Sequence, residues 1–65
     1  MTTKQLVGKI REDEELQESL DNLIRDHFSM MASAINNRGP EAQLEWLKNN
    51  GMKVETILKD LMETA

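Results

Sequence analysis

The chain has 65 residues, no cysteine, one histidine and a formal net charge of −4, from 8 Lys and Arg against 12 Asp and Glu. That length means one domain, residues 1–65, which buries only about 60% of the surface its unfolded chain exposes. The missing cysteines remove disulfides and thiolate metal sites, and the acidic balance argues against nucleic acid, whose binders carry excess Lys and Arg to neutralise phosphates.

Small chains offset a thin core with disulfides, a metal or a partner; a partner is the device this composition leaves open. The opening residues Met1 to Gln5 lack the apolar run of a secretory signal, and no apolar stretch approaches the length of a membrane span. The expectation is a cytoplasmic protein with no membrane contact.

The elements are all helical. Thr2 and Gln5 stand in capping-box spacing, and Leu6, Val7 and Ile10 follow as a short apolar cluster. Gly8 weakens a helix here by about 1 kcal/mol relative to alanine, so residues 3–10, within an N-terminal segment 1–12, read as a short or frayed helix.

The main element is one long amphipathic helix over about 13–37. Glu12, Asp13, Glu14 and Glu15 crowd its start, where the helix dipole favours negative charge. At 100° per residue, Leu16, Leu20, Leu23, Ile24, His27, Phe28, Met30, Met31, Ala34 and Ile35 fall in one arc of roughly 160°. Glu18, Ser19, Asp21, Asn22, Arg25, Asp26, Ser29, Ser33 and Asn36 fill the other side.

Gly39-Pro40 ends that helix, and Pro40 is pre-set for the first turn of the next. A second helix spans about 40–50, with Ala42, Leu44, Trp46 and Leu47 apolar. Gly51 stops it; if Gly51 takes the left-handed conformation, Met52 packs back on Leu47. A third helix, about 53–63, places Val54, Ile57, Leu58, Leu61 and Met62 on one face.

A helix over 13–37 is about 37 Å long, while a globule of this length is roughly 28 Å across. Two short helices do not cover so wide an apolar arc. The fold expected is therefore a helical bundle completed by homodimerisation, with antiparallel pairing keeping the acidic starts apart. The ten residues of the arc, Leu16 to Ile35, form the expected dimer or partner interface, and Arg38 and Trp46 supply a further partner-contact surface.

No residue set calls for catalysis, a cofactor, a metal or a small-molecule substrate. His27 lies mid-arc among Leu23, Ile24, Met30 and Met31, with no carboxylate to orient it, and Ser29 faces away from it. The acidic run 12–18 lacks calcium-loop spacing and a turn glycine. Residues 43–61 resemble the layout of a helix-turn-helix, a helix, Gly51, Met52, then Val54 and Ile57. The face that a reading helix exposes here, however, holds Glu55, Thr56, Lys59, Asp60 and Glu63, mostly acidic, where major-groove readers need Arg, Lys, Asn or Gln. The function expected is that of a protein-interaction or regulatory protein rather than an enzyme, with a DNA-binding regulator as the alternative.

Overall fold

Thr2 starts the first helix in the computed structural model, which describes residues 1–64. The Gln5 N–H donates to Thr2 Oγ1 at 3.2 Å, and the Thr2 N–H donates to Gln5 Oε1 at 2.8 Å. This capping box opens α1 (Thr3–Glu12), a helix of 10 residues. The short helix expected over 3–10 is present and extends two residues further, to Glu12. Burial of Leu6, Val7 and Ile10 in the core outweighs the propensity cost of Gly8, since a buried Leu or Ile side chain contributes about 1.5–3 kcal/mol.

Asp13 serves two helices. Its N–H donates to the Ile10 carbonyl, closing α1, while its carboxylate accepts from the N–H groups of Glu15 and Leu16 at 3.0 and 3.4 Å. Its extended backbone (φ −134°, ψ 107°) turns the chain into α2, Glu14–His27. The acidic residues at this start complement the helix dipole, as the sequence implies.

The long helix over 13–37 is not continuous. α2 stops at His27, where Phe28 leaves helical geometry (φ −134°, ψ 50°). Residues 29–31 turn, and a short α3, Ala32–Asn36, follows. The reason is tertiary. Bending the chain at Phe28 folds Ala32 and Ile35 into the core and brings the Asn36 side-chain amide to the Asp21 carbonyl at 3.5 Å.

Gly39 takes φ +93°, and Pro40 opens α4, Pro40–Asn49. Gly51 takes φ +91°; its N–H bonds the Lys48 carbonyl and the Met52 N–H bonds the Leu47 carbonyl. These two bonds form the Schellman pattern, and Met52 packs against the core that holds Leu47. α5 then runs over Val54–Thr64. No strand occurs among the described residues.

The five helices wrap one core. Leu6 and Ile10 of α1, Leu20 and Ile24 of α2, Ile35 of α3, Leu44 and Leu47 of α4, and Ile57 and Leu61 of α5 are all buried. The molecule measures 28 × 24 × 20 Å. The arc that a straight rod leaves uncovered is thus covered largely by the chain's own α1, α4 and α5.

Candidate interaction surface at the α2–α3 turn

The residues expected at an interface separate into two groups. Leu16, Leu20, Ile24 and Ile35 are core residues of the single chain, and Leu23 and Phe28 are half-buried against that core. His27, Met30, Met31 and Ala34 are exposed. A straight helix over 13–37 has all ten on one accessible face; the break at Phe28 removes that geometry. Leu16, Leu20 and Ile24, before the bend at Phe28, and Ile35, after it, lie in the core, whereas His27, Met30, Met31 and Ala34 around the turn are exposed.

The turn is built on an aromatic base. Phe28 and Trp46 meet edge to face, with ring centroids 5.6 Å apart at 68°, and the His27 ring lies 6.2 Å from that of Phe28, tilted by 45°. Such pairs contribute about 0.5–1.5 kcal/mol beyond burial and fix the direction in which the turn leaves α2. Met31 closes the turn, its N–H donating to the Phe28 carbonyl at 2.8 Å. Met30 is 98% exposed and Met31 47%. A methionine with almost no protein contact, beside a second half-open one, is the most exposed large apolar feature described.

His27 directs Nδ1 to the Leu23 carbonyl at 3.1 Å, one turn back in its own helix. That bond occupies one ring nitrogen, and no acidic side chain orients the ring. Asp13 is a helix cap, while Glu12, Glu14, Glu15 and Glu18 are exposed. Among the described residues no three His, Cys, Asp or Glu side chains converge as metal ligands.

A polar cluster that periodicity did not single out holds the turn from behind. Gln43 is 0% exposed. Its amide nitrogen donates to Asp21 Oδ1 at 2.6 Å and to Asn36 Oδ1 at 2.8 Å, and its oxygen accepts from Gln17 at 3.2 Å. Gln17 also donates to Asp21 at 3.0 Å. α2, α3 and α4 are tied together at this point, and no buried side-chain polar atom among the described residues lacks a partner. The one available signal was spacing: Gln43 lies four residues before Leu47, on the buried face of α4.

Arg38 is exposed and Trp46 half-buried, its ring set edge to face against Phe28. A shallow groove of about 490 Å³ runs between α1 and α4, lined by Thr3, Lys4, Val7, Glu41, Glu45, Lys48 and Asn49. Lys48 Nζ donates across it to Thr3 Oγ1 at 2.8 Å, and Arg11 pairs with Glu41 at 3.0 Å. Its two ammonium and two carboxylate groups balance, so no net charge selects a ligand. On α5 the exposed positions include Glu55, Lys59 and Glu63, a set poorly suited to phosphate contact. Among the described residues, no helix is long and apolar enough to cross a membrane.

No family model, curated protein or solved structure matches this chain. Function has to be read from these side chains themselves.

Proposed function

We propose that the chain is a small cytoplasmic protein-interaction module that acts through another protein, a second copy of itself included. In this reading it catalyses no reaction and holds no cofactor. The observation that carries it is the exposure of Met30 on a turn whose base is fixed. Methionine is flexible and polarizable, so it fits irregular partner surfaces. The Phe28–Trp46 pair is packed edge to face against the core, which limits the ordering cost of binding at the turn. A standard interface takes about 800 Å² from each partner, less than a fifth of the 4465 Å² surface of this chain. The turn and its flanking residues provide the apolar centre of such a patch.

The test is site-specific crosslinking in cells. A photoreactive residue at Met30 captures a discrete protein, and Met31→Glu abolishes the product. The same group at Glu18, exposed on α2, gives none. Equal labelling from both positions, or no product from Met30, contradicts the proposal.

A further inference from the structure

We propose that the Phe28–Met31 turn is a hinge and that its partner is a second copy of this chain. Two copies exchange their C-terminal halves, α3 to α5, when α2 and α3 join into one helix. This rests on the reading of the chain as an interaction module and names the partner.

The first observation is that neither a glycine nor a proline ends α2; the local side-chain contact at this end is His27 Nδ1 with the Leu23 carbonyl, inside the helix itself. The turn reads Phe28-Ser29-Met30-Met31, without glycine or proline, and every residue with positive φ is a glycine elsewhere, Gly39 or Gly51. The helix boundaries at Asp13, Gly39 and Gly51 all carry local signals, a side-chain cap or a left-handed glycine. The end of α2 carries neither. Met31 already has near-helical angles (φ −108°, ψ −1°), and its carbonyl accepts from Ile35 as in a helix.

The second is the periodicity. The apolar residues Leu16, Leu20, Leu23 and Ile24 before the turn and Met30, Met31, Ala34 and Ile35 after it continue a single helical stripe in phase, with Ala32 outside it. A break selected by local sequence leaves no reason for that phase to be kept. In a joined helix Met30 and Met31 return to the stripe instead of facing water.

The third is length, and it identifies the occupant. A helix joined from Glu14 to Asn36 is about 34 Å long, longer than the 28 Å maximum dimension of the molecule. Asn36, now within hydrogen-bond distance of Asp21, moves about 22 Å along the axis from it. α4 and α5 move away with it, so the buried faces of α1 and α2 separate from Leu44, Leu47, Ile57 and Leu61. The surface complementary to each exposed half is the other half of this same sequence. Outside the turn itself, a second copy restores the contacts between the two halves by symmetry, the bonds of Gln43 to Asp21 and of Lys48 to Thr3 included, now between chains. Exchange of identical elements is a low-cost route to a dimer.

The experiment uses the full chain, which has no cysteine of its own, with spin labels at Glu18→Cys and Asn37→Cys. Labelled chain is mixed with excess unlabelled chain, refolded from denaturant at millimolar concentration and separated by size. The expected result is a species of twice the chain mass with an intrachain label distance of about 28 Å, as for one continuous helix, beside a monomer with a much shorter distance. Ser29→Ala, a better helix former, raises the dimer fraction several-fold. Ser29→Pro, which breaks a joined helix, removes the dimer and leaves the helix content of the monomer intact. Should Ser29→Pro fail to fold, the wild-type and Ser29→Ala chains decide, and an unchanged dimer fraction in Ser29→Ala contradicts the hinge. A dimer that keeps the short monomer distance overturns the exchange but leaves the interaction reading standing. Absence of any dimer in both chains overturns the second copy as partner.

Discussion

Gln43 donates to Asp21 at 2.6 Å from a position with no solvent exposure, joining α4 to the middle of α2. The same amide holds Asn36 of α3. One side chain thereby fixes the angle between the helices on either side of the turn. Removing it leaves Asp21 and Asn36 short of a donor and opens a void. Gln43→Ala is expected to destabilise the chain by about 2–3 kcal/mol. Thermal unfolding followed by circular dichroism shows this as a fall in Tm of about 8–24 °C; an unchanged Tm means the cluster does not brace the fold.

The two kinds of glycine make opposite predictions. Gly8 lies inside α1 with open space where a Cβ would stand. Gly8→Ala is expected to stabilise by about 1 kcal/mol through helix propensity. Gly51 sits at φ +91°, a conformation that costs an L-residue about 1–2 kcal/mol, so Gly51→Ala destabilises. Denaturant titration of the pair should move the midpoints in opposite directions.

Asp13 closes one helix through its backbone and opens the next through its carboxylate. Asp13→Ala loses the cap and is expected to cost about 1 kcal/mol, while Asp13→Ser keeps an acceptor and recovers most of it. Equal stability of the alanine and serine variants excludes the cap as the source of the effect.

These positions also mark what the sequence makes legible. Thr2 with Gln5, Asp13, Gly39 with Pro40, and Gly51 are local signals, each satisfying a backbone group within four residues, and each places a boundary correctly. The apolar faces are legible for the same reason, because burial repeats with the helical period. The break at Phe28 is not legible. It is imposed by contacts between residues distant in sequence, Asn36 with Asp21 and Gln43 with both. Gln43 itself stayed hidden because periodicity sorts residues by polarity, and a glutamine buried by virtue of its partners reads as surface. The candidate surface was legible only in part: Met30, Met31, His27 and Ala34 are exposed, whereas Leu16, Leu20, Ile24 and Ile35 serve the core.

Met30 provides a separation of stability from binding. With 98% of its surface in water, Met30→Gln is expected to change folding stability by no more than about 0.5 kcal/mol. Crosslinking or affinity measured through the turn should fall several-fold in the same variant. A large loss of stability would show that Met30 packs within its own chain.

Backbone 13Cα chemical shifts of the dilute monomer test the central claim most directly, that tertiary contacts bend an otherwise helical stripe at Phe28. The shifts are expected to be helical from Glu14 to His27, to fall toward coil values at Phe28 and Ser29, and to become helical again from Ala32. Unbroken helical shifts from Glu14 through Asn36 in the monomer would contradict the account.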